Sequence, residues 1–154
     1  MTRSRLQLIV LLSLGGIFLL SLALELFLPH RQARVELQFP NEIGRGLGWE
    51  ARIIPFSWNT EKNVETTVKE ILLGPAFPDR LRLFSRDAAL RDIFFRGSTI
   101  VVDLALNTLR PDGDVETPPL QALKILRQDI LFNFPCYKKV EFAIQGAPVL
   151  PKIR

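Results

Sequence analysis

Hydrophobic and polar positions follow two regimes along the chain. Residues 6–28 (LQLIVLLSLGGIFLLSLALELFL) are almost continuously apolar, with Gln7 and Glu25 near the two ends. A bilayer core takes about 20 apolar residues in a helix, so this stretch is expected to be a single-pass transmembrane anchor. A cleaved signal peptide is the competing reading, supported by Arg3 and Arg5. Against it, the apolar run is longer than a signal core and no small-residue cleavage site follows. Arginines flank the run on both sides (Arg3 and Arg5, then Arg31 and Arg34), so charge alone does not orient it. The short N-terminal tail is expected in the cytoplasm. The remainder is expected on the extracytoplasmic (periplasmic) side of the cytoplasmic membrane.

Beyond a polar linker at 29–33, apolar residues become periodic. Val35, Leu37 and Phe39 alternate with Arg34, Glu36 and Gln38, the pattern of a half-buried strand. Gly44, Gly46 and Gly48 lie within 40–48, where they predict a turn. Their spacing is not that of a phosphate-binding loop. Residues 51–57 predict a second strand, which Pro55 confines to an edge or a bulge. Asn59 precedes a helical stripe of Val64, Val68, Ile71 and Leu72, closed by Gly74-Pro75. Residues 76–86 read as a connection with weak strand character. Residues 91–96 and 98–106 predict a hairpin turning at Gly97, with Ile100, Val102 and Leu104 inward and Val101, Asp103 and Ala105 outward.

Thr117 before Pro118-Pro119 predicts the start of a further helix. Its core side is expected to carry Leu120, Leu123, Leu126, Ile130, Leu131 and Phe134, with Pro135 ending it. Residues 138–144 close the fold as a strand, with Val140, Phe142 and Ile144 inward. The expected fold class is α+β. A transmembrane helix precedes a two-layer α/β sandwich in which two helices pack on one small mixed sheet. The expected division is tail and anchor at 1–28, linker at 29–33, folded domain at 34–149 and a tail at 150–154.

Composition narrows the chemistry. The net charge of +4 is scattered along the chain, and the phenylalanines sit at core positions, so nucleic acid is not an expected partner. With one cysteine (Cys136) and one histidine (His30), neither an internal disulfide nor a zinc site is expected. Asp103 and the loop acids Asp112, Asp114 and Glu116 are the nearest approach to paired carboxylates. Asp103 is expected on the solvent-leaning face of its strand, and the loop acids read more simply as solvated turn and helix-start residues. No catalytic residue, cofactor or metal is expected. Trp49 and Trp58 flank the second strand, and indoles stack well on sugar rings. Together with Arg45 and Arg52 they make a candidate ligand or partner surface, for which cell-wall peptidoglycan is the alternative occupant.

Several short motifs recur together in one order: LLGP at 72–75, STIVVDL at 98–104, LFNFP at 131–135, KVEF at 139–142 and Gln145-Gly146. In that order and spacing the chain resembles a GerMN domain, a module of sporulation and spore-germination proteins, over about residues 35–149, in a single copy. The resemblance implies a fold similar to ring-building modules of envelope assemblies. It also implies a non-enzymatic, membrane-anchored role in the cell envelope through self-association or contacts with envelope proteins. No catalytic residues come with the family.

Overall fold

The computed structural model describes residues 3–27, 32–42, 46–110 and 115–149. It has two compact units, Met1–Arg31 and Gln32–Arg154. The first unit contains helix α1, Arg3–Phe27. The membrane anchor expected at 6–28 requires correction: among the described residues, no helix is long and apolar enough to cross a membrane. Ser13, Gly15, Gly16 and Ser21 dilute the apolar side chains of this helix, and the Ser13 hydroxyl donates back to the Val10 carbonyl at 2.8 Å. The transmembrane-helix part of the expected fold is withdrawn, and so is the single-pass, cytoplasmic-membrane localisation built on it.

The second unit runs β1 (Gln32–Pro40), β2 (Leu47–Pro55), α2 (Thr60–Leu73), β3 (Leu90–Arg96), β4 (Thr99–Leu104), α3 (Pro119–Asn133), β5 (Lys139–Ile144) and β6 (Ala147–Pro148). A short 3-10 turn, Leu106–Leu109, follows β4. Among the described residues the chain is α+β with three α-helices, but its strands form two sheets where one was expected. β1 and β2 make an antiparallel ribbon, with Leu37 opposite Glu50 and Gln38 opposite Trp49. The other four strands make a mixed sheet in the order β3-β4-β5-β6, with β4 and β5 parallel. A parallel pair needs a long crossover, and α3 supplies it between β4 and β5.

Both sheets and two helices share one core. Val35, Leu37 and Phe39 from β1 meet Val64, Val68 and Ile71 from α2, Ile100, Val102 and Leu104 from β4, and Leu123, Leu126 and Ile130 from α3. Burying each such side chain contributes about 1.5–3 kcal/mol. Leu83 and Phe84 lie in the irregular connection after α2 yet are fully buried, so that connection is part of the core. Leu120, expected on the core side of α3, is exposed. It lies in the first turn after the N-cap, Pro118, which makes no side-chain cap, so Thr117 does not cap the helix as its sequence position suggested.

Helix α2 shows how local sequence fixes an element. The Asn59 side chain accepts from the Glu61 N–H at 2.9 Å and caps the start. Gly74 ends the helix at φ 89°, a conformation that costs glycine little, and its N–H donates to the Ile71 carbonyl. The last-turn carbonyls, which have no partner within the helix, are taken by two arginines. Arg82 donates to the Leu73 and Leu72 carbonyls at 2.7 and 3.2 Å. Arg52 donates to the carbonyls of Glu70 and Gly74.

Two asparagines join the helices to the ribbon. Asn63 of α2 accepts from the Ser57 N–H at 2.7 Å and donates to its carbonyl at 2.8 Å, fixing the exit from β2. Asn133 of α3 does the same to Glu36 of β1, at 2.9 and 2.7 Å. Each amide stands in for a neighbouring strand, meeting one backbone donor and one backbone acceptor.

Candidate functional site

Strand alternation divides the expected surface residues of β2. Trp49 and Arg52 lie three positions apart, an odd separation, so they face opposite sides of the ribbon. Glu50, Arg52 and Ile54 point inward, whereas Leu47, Trp49, Ala51, Ile53 and Pro55 point outward. The structure therefore does not bring Trp49 and Arg52 into one site. Arg45 lies outside the described residues.

Arg52 is a structural residue. Its Nε donates to the Glu50 carboxylate at 2.7 Å and its Nη1 to the Glu70 carboxylate at 2.9 Å. The guanidinium also lies 5.6 Å from the centre of the Phe39 ring. Glu50, fully buried, accepts in turn from the Ala76 N–H. A buried carboxylate with no cationic partner would cost several kcal/mol. Glu50 and Arg52 neutralise one another and tie β2 to the end of α2.

The outer face of β2 is apolar along its whole length. Trp49 is 49% exposed and its ring lies 4.9 Å from that of Phe132, an exposed residue of α3, at a tilt of 47°. Ile53 is 69% exposed. Past the strand, Trp58 is 78% exposed and meets Phe56 edge-on at 5.9 Å. Neither tryptophan is a covered edge of the core. Both display aromatic surface, as protein-binding faces commonly do. Phe132 was not among the sequence-derived candidates. It lies off the core stripe of Leu123, Leu126 and Ile130, and only the packing of α3 against β1 brings it beside Trp49.

The remaining polar groups do not assemble reactive chemistry. Asp103 is buried, not solvent-facing as its strand position suggested. It accepts from Arg91 at 3.2 Å and from the Gly146 N–H at 2.9 Å, fastening the β5–β6 turn. Asp112 and Asp114 lie outside the described residues. Among the described residues, no group of three His, Cys, Asp or Glu side chains converges as metal ligands would. A groove of about 410 Å³ between α2 and β3 is lined by charges of both signs, among them Glu61, Lys62, Glu65, Lys69, Arg91 and Asp92. Cys136 is exposed.

Asp129 stands apart. It is fully buried under β1, where its Oδ2 accepts from the Gln38 N–H at 3.0 Å. Its Oδ1 is buried with no partner. Burial pushes the carboxyl from 3.8 up to about 7, opposed by the Gln38 hydrogen bond, because the charged form loses its water. With no solvent access, this carboxyl cannot touch a ligand. Its contact with β1 is architectural.

No protein-family model and no characterised relative matches the sequence. Solved structures do match. The tandem GerMN domains of the sporulation protein GerM from Bacillus subtilis superpose with a TM-score of 0.58 at 12% identity, over 77% of this chain and 41% of that one. The first GerMN domain of the same protein superposes with a TM-score of 0.51 at 15% identity, over 76% of this chain and 86% of that one. The chain thus spans less than half of the tandem structure and most of the single domain. Identities this low speak for the fold alone, and the chain has a GerMN-like fold.

Proposed function

We propose that this GerM-type module works in cell-envelope assembly, of the sporulation and germination kind, through protein–protein contacts and without catalysis. The observation that carries the proposal is the apolar outer face of β2, continued by the Trp49–Phe132 ring contact onto α3. A row of exposed apolar side chains on one strand face is a common mark of a protein-binding surface. Buried aromatics of this kind commonly supply most of a protein interface's affinity.

The test is a photo-reactive phenylalanine analogue at Trp58 of the full-length chain in intact cells, with captured proteins identified by mass spectrometry. Envelope proteins or further copies of the chain are the expected products. Recovery of uncrosslinked chain alone would refute the proposal.

A second reading rests on the 78% exposure of Trp58 beside Phe56. An indole so displayed can stack on a sugar ring, which makes peptidoglycan a candidate ligand. Retention on purified peptidoglycan that is lost in Trp49→Ala and Trp58→Ala would favour it. Equal retention of all three proteins would dismiss it.

A further inference from the structure

The two edges of β1 and β2 are treated differently. The outer edge of β1 is covered: Glu36 gives its N–H and carbonyl to Asn133, and Gln38 gives its N–H to Asp129. These groups point away from β2, so Glu36–Ala51 and Gln38–Trp49 are non-hydrogen-bonded pairs of the ribbon. By the same alternation, the backbone groups of Leu47, Trp49, Ala51 and Ile53 point away from β1. Among the described residues, no strand or other backbone group meets them there. β2 is an open edge.

Open edges are normally protected by charge, proline or brevity. β3, at the edge of the other sheet, carries Arg91, Asp92 and Arg96, and β6 is two residues long with Pro148. β2 is nine residues long, and its outward side chains are Leu47, Trp49, Ala51, Ile53 and Pro55. None carries a charge.

We infer that the β2 edge pairs antiparallel with β2 of a second copy, about a twofold axis through Ala51, to form a continuous sheet β1-β2-β2-β1. The charges choose the register. An axis through Ala51 sets Glu50 of one copy opposite Arg52 of the other. A shift to an axis through Glu50 would set the two Glu50–Arg52 ion pairs carboxylate to carboxylate, and one through Arg52 would set them guanidinium to guanidinium. On the outer face, the same register sets Trp49 opposite Ile53, an aromatic and β-branched pair favoured across strands. Leu47 falls opposite Pro55, whose missing N–H ends the ladder. The register is self-complementary, as a twofold interface requires. This inference rests on the protein-contact reading above and names the partner.

Site-specific disulfide formation in the purified full-length chain tests it, in a Cys136→Ser background that removes the exposed native thiol. Two residues opposed in a hydrogen-bonded pair lie about 5.5 Å apart at Cα, within disulfide reach. Under mild copper–phenanthroline oxidation, Ala51→Cys is expected to give covalent dimer. A mixture of Trp49→Cys and Ile53→Cys chains should do so too, whereas Ile53→Cys alone should not. Adding Ile53→Lys to Ala51→Cys should lower the dimer yield about tenfold with unchanged circular dichroism. No dimer from either Ala51→Cys or the mixture would overturn the inference, and so would dimer from Ile53→Cys alone at the Ala51→Cys yield. Should those crosslinks fail while Trp58 still captures another protein in cells, self-pairing falls and the contact function stands.

Discussion

Replacing Asp129 by asparagine should flatten the pH dependence of folding. Asp129 titrates at about 7 in the folded chain, against its ordinary 3.8. Between those values the folded protein holds a proton that the unfolded chain has released, so stability falls as pH rises. Below about pH 4 both states are protonated and the term vanishes; above about pH 7 the cost is complete. A shift of roughly three pH units, at about 1.4 kcal/mol each, amounts to ~4 kcal/mol. The substituted amide would still accept from the Gln38 N–H and carries no charge at any pH. Its own N–H groups, placed where Oδ1 now lacks a partner, add a cost of about 1–3 kcal/mol that does not vary with pH. The diagnostic quantity is therefore the change in the stability difference between the two proteins, measured by urea unfolding from pH 4 to pH 8. Asp129→Asn should gain ~4 kcal/mol on wild type over that range. A stability difference that stays constant across it would refute the buried, proton-holding carboxyl.

Other substitutions probe the ribbon and its supports. Arg52→Met should cost about 3–5 kcal/mol in denaturant unfolding, because it strands the buried Glu50 carboxylate and frees the carbonyls at the end of α2. Asn133→Ala should cost about 1–3 kcal/mol by leaving the Glu36 N–H and carbonyl without partners, and should raise amide exchange along β1. At Gly48 an added Cβ would fall 1.7 Å from the Arg80 guanidinium, so Gly48→Ala should destabilise by about 1–3 kcal/mol as Arg80 is displaced. Trp58→Ala should leave stability within about 0.5 kcal/mol of wild type and reduce partner capture, which separates display from packing.

Much of the fold was legible in local pattern, and the reasons are local. The alternation over 34–39 and 139–144, the Asn59 cap, the Gly74 stop and the Gly97 turn depend on residues within a few positions of one another. The structure has an element or turn at each of them. Boundaries were less legible where side chains act at a distance. β2 begins at Leu47, within the stretch read as a glycine turn, because pairing with Pro40 and Phe39 extends the ribbon. Asp103 reads as an outward strand residue until the β5–β6 turn closes over it and Arg91 reaches it. Leu120 is apolar and sits on the expected stripe, and periodicity alone cannot say how far along α3 the core extends. The candidate surface was half legible. Trp49 and Trp58 are displayed, but the odd spacing that separates Trp49 from Arg52 was available in the sequence and argues against one site.

By itself, the sequence determined the α+β class of the folded unit and the order of its helices and strands from β1 to β5. Each of these rests on short-range periodicity, capping and turn chemistry. Only the tertiary structure decided that six strands divide into two sheets, that Asn133 and Asp129 close one edge of the ribbon, and that the other edge stays open beside an apolar face. Those outcomes depend on contacts between residues some ninety positions apart. A linear pattern records which side chains can be buried, but not which backbone edge another element will reach.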